Sequence, residues 1–397
     1  MFKQFLARLG IVSEAMPTKV PGAPMDDIGK RDVIHALYEG RSVDEQLFAD
    51  RFLKAVPMSK LRALLKDMRQ RFGAAEDVTG SGNAYTLTTP GHEFPVQFHL
   101  DGDHRIVGLM FEPGMARTRS VEETLERLKG LDGVIAYLIT RADQTVAAFN
   151  ADETLAVASA FKIGVFAALQ DQIAAGDLGW DSVVRLEGRD KSLPSGILQN
   201  LATASPLTVH SAAALMIAES DNTATDLLMR VVGRDTVNAK LGVDLTLTTR
   251  ETFILKADPD LRDAFLADDA DKHAVIAKVA QTDLPDVSAI GQHNRGVEWY
   301  VSARRLCALL SETAEADVMH INPGLARKGD WEQIAFKGGS EQGVLCFATR
   351  AIRKGSEPVC AVVTVNADSA IDEEHVGGLY TRLLQQLAAL DHPGHEK

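Results

Sequence analysis

A serine and a lysine lie three positions apart in an apolar stretch of the chain, which reads Ala158-Ser159-Ala160-Phe161-Lys162-Ile163. A serine alcohol becomes an effective nucleophile only when a neighbouring base takes its proton. A lysine can be that base when burial lowers its pKa. Helical positions three apart share one face, so Ser159 and Lys162 could form such a pair. The alternative is a helix that begins at Ser159, with Lys162 reaching to solvent.

Two further segments carry groups that could serve the same chemistry. Ser220-Asp221-Asn222 interrupts a helical pattern, and its serine or asparagine could instead cap a helix that starts at Thr223. Phe336-Lys337-Gly338-Gly339-Ser340 places two glycines after a lysine, which lets another backbone or a ligand approach closely. We expect an edge strand that faces a cleft; an ordinary loop is the alternative.

The order S-x-x-K, S-D-N and K-T-G is typical of class A β-lactamases and penicillin-binding proteins, and this chain has the three motifs in that order with Gly338 in place of the threonine. Over residues 119–397 the chain resembles this serine β-lactamase/penicillin-binding-protein superfamily, and "TVHSAAALMIAESDNTATDLLMRVVG" is similar to its helical part. Within that superfamily the chain is most similar to the cephalosporin-esterase-like serine hydrolases of bacterial clavulanic acid clusters. This resemblance rests on the additional N-terminal domain and on the segments "TTRETFILK" and "VEWYVSARRL" after S-D-N.

The resemblance implies a role for each matching residue. Ser159 would be the acylated nucleophile, Lys162 its general base, and Ser220 a proton relay to the leaving group. Lys337 would supply positive potential for a substrate carboxylate. Backbone N–H groups of Ser159 and Ser340 would form the oxyanion hole. The substrate-binding positions would be Asn222, Gly338, Gly339 and Ser340.

Two departures from the family pattern bear on the activity. Gly338 stands where a hydroxyl often helps to hold the substrate carboxylate, and Ser340 or Glu341 could take over that role. Alternatively, Glu341 would repel an anionic substrate. Glu251 is the candidate for the glutamate that activates the deacylating water, but Leu255 replaces the asparagine four residues on; a structural ion pair with Arg250 or another basic residue is the alternative.

We therefore expect a serine hydrolase that forms an acyl-enzyme on Ser159, with esterase or weak β-lactamase activity on a small ester, β-lactam or peptide. The alternatives are an efficient class A-type β-lactamase or D,D-peptidase, and a module that binds β-lactams or peptidoglycan without turnover. Phe253 and Trp299 could line the cleft or be ordinary core aromatics.

Hydrophobic periodicity predicts an α+β chain with an N-terminal segment, residues 1–24, followed by two domains. The pattern of the N-terminal segment is typical of a short amphipathic helix. Residues 25–118 read as helices to about position 72 and then as a strand meander, an order that resembles the NTF2-like (cystatin-like) fold and could support a homodimer. For residues 119–397 we expect a β-lactamase/transpeptidase-like domain, with an antiparallel sheet and an all-α subdomain.

Composition excludes several classes of protein. A net charge of −13 over 397 residues argues against nucleic acid binding, and no apolar run is long enough to span a membrane. We expect no cofactor and no metal; His92, His99 and His104 lack ligand spacing and are expected at the surface or in turns. Cys307, Cys346 and Cys360 are expected to be free buried thiols, with a Cys346–Cys360 bridge as the alternative. No export signal is evident, which favours the cytoplasm, whereas the resemblance would allow an extracytoplasmic location.

Overall fold

The computed structural model describes residues 25–142, 144–290 and 296–390. These residues form two compact units: one comprises residues 25–125 and 372–383, and the other residues 126–371 and 384–390. The amphipathic helix expected within residues 1–24 lies outside the described residues.

The first unit begins with three helices and continues as an antiparallel sheet, as the periodicity predicted. The strand order is β1-β2-β3-β4, with β5 paired to β3. Phe94, Val96 and Phe98 of β3 are fully buried and alternate with more exposed residues, which is the pattern of a sheet with one face on the core. The NTF2-like assignment stays a prediction. The elements are α1 (Asp27–Tyr38), α2 (Asp50–Ala55), α3 (Met58–Phe72), β1 (Asp77–Ser81), β2 (Ala84–Thr88), β3 (His92–Leu100), β4 (Ile106–Phe111) and β5 (Met115–Ala116).

Helix α4 (Val121–Lys129) leads to the sheet of the second unit. This sheet has the strand order β12-β13-β14-β6-β7, and every pair is antiparallel. Strand β12 is an edge strand, which confirms that part of the expectation for the lysine–glycine segment and excludes the ordinary loop, whereas a cleft in front of it stays a prediction. The strands are β6 (Val134–Arg141), β7 (Gln144–Phe149), β12 (Gln333–Glu341), β13 (Val344–Ile352) and β14 (Val359–Asn366).

One helix of the second unit is buried throughout its first half and packs among the other helices of that unit. In this helix, α5 (Lys162–Ala175), every residue from Lys162 to Leu169 is buried, and Gly176 ends it in the left-handed conformation that glycine favours. The other elements are β8 (Thr154–Ala156), β9 (Val183–Arg185), β10 (Pro206–Thr208), α6 (Val209–Ala218), α7 (Asn222–Val232), α8 (Arg234–Leu241), α9 (Thr249–Ala257), α10 (Pro259–Leu266), α11 (Lys272–Val279), β11 (Tyr300–Ser302), α12 (Ala303–Thr313) and α13 (Glu373–Ala389), the last of which is shared between the two units.

The expectation of three free thiols was wrong for two of them. Cys307 of α12 and Cys360 of β14 form a disulfide, with their Cα atoms 6.0 Å apart, whereas Cys346 is free and buried. A Cys346–Cys360 bridge is excluded by register, because Cys346 pairs with Thr364 and Cys360 with Arg350 on the neighbouring strand.

Among the described residues, no helix is long and apolar enough to cross a membrane. Within the same residues no cluster of three or more histidine, cysteine, aspartate or glutamate side chains could hold a metal ion.

Candidate active site

Ser159 lies in a short 3₁₀ turn, Ala158–Phe161, that leads directly into α5. Its side chain is half-buried, whereas Ala158, Ala160 and Phe161 are fully buried, so the turn presents the serine at its accessible side. Ala158 has a φ of 44°, a region that residues with a Cβ atom seldom adopt. Strain of this kind persists only where the surroundings enforce it, and it clusters at functional sites.

Lys162 begins α5 and is fully buried, so the solvent-reaching alternative is wrong. Its Nζ donates to the Ser220 carbonyl oxygen at 2.7 Å, to Ser220 Oγ at 3.2 Å and to Asn222 Oδ1 at 2.6 Å. Burial lowers the pKa of Lys162 to about 7, although carboxylates led by Asp226 oppose this shift. Near pH 7 the ammonium that makes these three hydrogen bonds is therefore in equilibrium with a neutral amine, which gives up one of them and can accept a proton.

Ser220 Oγ lies between two buried lysines. Lys337 Nζ donates to it at 3.0 Å, in addition to the contact from Lys162 Nζ at 3.2 Å. A hydroxyl offers two lone pairs and one proton. Because the two amines occupy the lone pairs, the proton of Ser220 is left to donate to a third group. Ser220 has a φ of 56°, so it shares the backbone strain of Ala158.

The helix after Ser220 begins at Asn222, one residue earlier than expected, and its cap is Asp221 rather than Ser220 or Asn222. Asp221 Oδ1 accepts from the Ala224 N–H at 2.8 Å, and Oδ2 accepts from the N–H groups of Ile197 and Leu198 at 2.7 and 2.9 Å. The cap thus also holds a neighbouring loop, which the sequence analysis did not connect with the site.

Asn222 is oriented at both ends of its amide. Oδ1 accepts from Lys162, and Nδ2 donates to the Leu193 carbonyl oxygen at 3.0 Å. An amide nitrogen has two N–H donors, so one donor is not used by the Leu193 contact. The Pro194-Ser195-Gly196 sequence was the available signal that a turn lies in this loop.

Strand β12 brings Lys337 and Gly339 to the serine turn. A Cβ atom added to Gly339 would lie 2.5 Å from the Ser159 backbone nitrogen and 2.8 Å from that of Ala160. The glycine is therefore required by the close approach of two backbones. Side chains alternate along a strand, so Gly338 and Ser340 face the other side, and the oxyanion-hole role of Ser340 rests on its backbone alone and stays a prediction.

Asp226 is a buried carboxylate that was not among the predicted site residues. It lies one helical turn after Asn222 and accepts from the N–H groups of Thr249 and Arg250, at 2.7 and 2.8 Å, and from the Thr249 hydroxyl. Burial raises the pKa of Asp226 to about 7, against these hydrogen bonds. Its spacing of four from Asn222 on a helix was the available signal.

Glu251 is used structurally through both of its carboxylate oxygens. Oε1 pairs with Arg234 Nη2 at 2.6 Å, and Oε2 accepts from the Thr248 N–H at 2.8 Å in a capping box. Glu251 therefore forms a structural ion pair, which was the alternative to a role in deacylation, and its partner is Arg234 rather than Arg250. Glu251 lines a cavity of about 320 Å³ whose lining contains none of Ser159, Lys162, Ser220 and Lys337.

A second group of buried charges lies at the end of β12. Lys256 of α9 pairs with Glu298 at 2.6 Å and with Glu341. Burial lowers the pKa of Lys256, but the two carboxylates more than offset this, so the pKa is raised and the lysine stays charged. Glu341 also interacts electrostatically with Lys162.

The two candidate cleft aromatics are core residues. Trp299 stacks on Phe161 with ring centroids 4.3 Å apart, and its Nε1 donates to the Leu247 carbonyl oxygen. Phe253 is also buried. The core alternative therefore holds for both. Trp299 packs on Phe161 of the serine turn, and the cavity of about 230 Å³ that it also lines contains none of Ser159, Lys162, Ser220 and Lys337.

A sequence model of the beta-lactamase enzyme family matches residues 119–312, which is just under half of the chain. This match supports a β-lactamase-like serine hydrolase fold and the predicted place of this region in the serine β-lactamase/penicillin-binding-protein superfamily. No curated protein matches the chain.

Several solved structures are similar to the chain. A β-lactamase from Sphaerobacter thermophilus is 22% identical over 69% of this chain and 98% of its own, with a TM-score of 0.49. A variant of the class A β-lactamase of the last common ancestor of Gram-negative bacteria is 15% identical over 70% of this chain and 100% of its own, with a TM-score of 0.48. The penicillin-binding protein PBP-A is 15% identical over 70% of this chain and 98% of its own, with a TM-score of 0.46.

Proposed function

We propose that the protein is a serine acyl hydrolase in which Ser159 is acylated by an ester or a β-lactam. The observation that carries the proposal is the placement of Ser220 Oγ within 3.2 Å of both Lys162 and Lys337, next to the turn that presents Ser159. This arrangement supplies a nucleophile, a neutral amine base and a hydroxyl that can pass on a proton.

Acylation would proceed through three proton transfers. Neutral Lys162 takes the proton of Ser159 as Oγ attacks the carbonyl carbon, and the N–H groups of Ser159 and Ser340 receive the developing oxyanion. Ser220 then gives its proton to the leaving oxygen or nitrogen. Because Lys162 Nζ lies 3.2 Å from Ser220 Oγ, the new ammonium can return a proton to that hydroxyl.

The substrate preference follows from the charges around Ser159. Lys337 supplies one positive charge, but Gly338 offers no hydroxyl to hold a carboxylate, and Glu341 adds a negative charge on the same strand. An anionic β-lactam is therefore bound less favourably than a neutral ester. We infer esterase activity with weak β-lactamase activity.

The test is intact-mass analysis after mixing with a penicillin and, separately, with a p-nitrophenyl ester. Release of product, with or without a transient covalent adduct, that disappears in Ser159→Ala supports the proposal. A stable adduct without turnover of either compound would instead favour a binding module. This alternative is considered because Glu251, the candidate for activating the deacylating water, is occupied by structural contacts. Fast turnover of the penicillin would favour an efficient β-lactamase. Neither adduct nor product with either compound would refute the acyl-enzyme.

A further inference from the structure

Glu341 continues the face of β12 that contacts the serine turn. Lys337, Gly339 and Glu341 alternate along the strand and therefore point to one side. Lys337 reaches Ser220 from this face, and Gly339 lies against the backbone of Ser159. Two residues of a strand advance by roughly 7 Å, so Glu341 begins about one side-chain length beyond that contact with Ser159.

The carboxylate of Glu341 is held at one oxygen. Oε2 contacts Lys256 Nζ, and Lys256 is fixed in turn by Glu298. Among the described residues, Oε1 of Glu341 has no hydrogen-bond partner, and the side chain is 20% exposed. One oxygen is thus anchored in the protein, while the other is available on the side of the strand that carries the site.

We propose that Glu341 is the general base that activates water for hydrolysis of the acyl-Ser159 ester, with Lys256 and Glu298 as the residues that position it. This inference rests on the proposed function. Oε1 accepts a proton from water as the water oxygen forms a bond to the ester carbonyl carbon. The tetrahedral intermediate then collapses, the bond from that carbon to Ser159 Oγ breaks, and the proton held by Glu341 passes to Oγ. The products are the free acid and the regenerated serine.

The surroundings of Glu341 suit this task better than those of Glu251. Burial and the neighbouring carboxylate of Glu298 raise the pKa of Glu341, although Lys256 and Lys162 oppose them, and a carboxylate with a raised pKa is a stronger base. Glu251 has neither oxygen available, because one pairs with Arg234 and the other caps α9.

The experiment follows the acyl-enzyme by time-resolved intact mass in the wild type, in Glu341→Gln and in Glu341→Ala, after mixing with a penicillin. Both variants should be acylated at close to the wild-type rate and should lose the adduct about 10²-fold more slowly or worse. Glu332→Gln is the matched control, since Glu332 lies just before the other end of β12 and is exposed. The variants should fold, because Lys256 keeps Glu298 as its partner.

A second measurement separates a base from a structural residue. Sodium formate should speed deacylation of Glu341→Ala relative to the same concentration of sodium chloride, because formate can enter the space of the missing carboxylate and accept the proton. Wild-type decay of the adduct in Glu341→Gln, or slow decay in Glu341→Ala that formate leaves unchanged, would overturn the inference while leaving the acyl-enzyme in place. If the wild type gives neither adduct nor product, the proposed function itself fails and this inference falls with it.

Discussion

Alanine in place of Gly339 tests whether the contact between β12 and the serine turn sets the geometry of the nucleophile. The new Cβ would lie 2.5 Å from the Ser159 nitrogen and 2.8 Å from the Ala160 nitrogen, and closer still to the Val157 carbonyl oxygen. All three atoms belong to the backbone, so no side chain can rotate away.

The displacement that this substitution requires follows from those distances. Ordinary contact begins near 3.4 Å, so the strand and the turn must separate by about 1 Å. Overpacking of this kind costs about 1–3 kcal/mol, which for a unit of this size corresponds to a fall of several degrees in Tm. A misplacement of ~1 Å can reduce a rate by about 10²-fold, and we expect acylation of Ser159 to slow by that factor.

The assay compares single-turnover acylation by a p-nitrophenyl ester with thermal unfolding of the same samples. Gly329→Ala is the matched control, because a Cβ atom at Gly329, which precedes β12, would meet no atom within 4 Å. Acylation of Gly339→Ala within about threefold of the wild-type rate, in a protein of wild-type Tm, would refute the claim that this contact positions Ser159.

Three further predictions concern the base, Glu251 and the disulfide. Acylation should slow as pH falls through about 7, because Lys162 accepts a proton only when neutral and its pKa is about 7; a single-turnover rate that is flat between about pH 5.5 and 8.5 would contradict this. Glu251→Gln should lower the free energy of unfolding by about 1–3 kcal/mol, because the ion pair with Arg234 is lost, but it should leave the lifetime of the acyl-enzyme unchanged. Accumulation of the acyl-enzyme in this variant would show instead that Glu251 takes part in deacylation. Replacing Cys307 and Cys360 together by alanine should cost about 4 kcal/mol in a denaturant titration, since the bridge closes a loop of 53 residues; an unchanged midpoint would count against the bridge.

The sequence could predict the parts of the site that depend on local pattern. Helix α5 could be predicted to be buried because its apolar residues extend around the whole helix. The edge strand could be predicted from the two glycines beside a lysine. The structural role of Glu251 was also readable in principle, because Thr248 and Glu251 have the spacing of a capping box.

The parts that depend on long-range pairing could not be predicted. Ser220 bridges lysines 58 and 117 positions away in the chain, and no local pattern specifies such a contact. The cysteine bridge joins a helix to a strand, so neither periodicity nor spacing indicated its partners. The position of Glu341 toward the site required the strand register, which the sequence offered only as an alternation.

The backbone strain at Ala158 and Ser220 has a consequence for how the protein can change. Each left-handed residue costs of order 1–3 kcal/mol, and both adjoin the groups that would carry out the chemistry. Glycine at position 158 would relieve the strain but loosen the turn that presents Ser159. Selection for thermal stability alone would therefore favour substitutions that relieve the strain and disturb the site. Ala158 and Ser220 are thus positions at which stability is lower than it could be and the geometry of the site is kept.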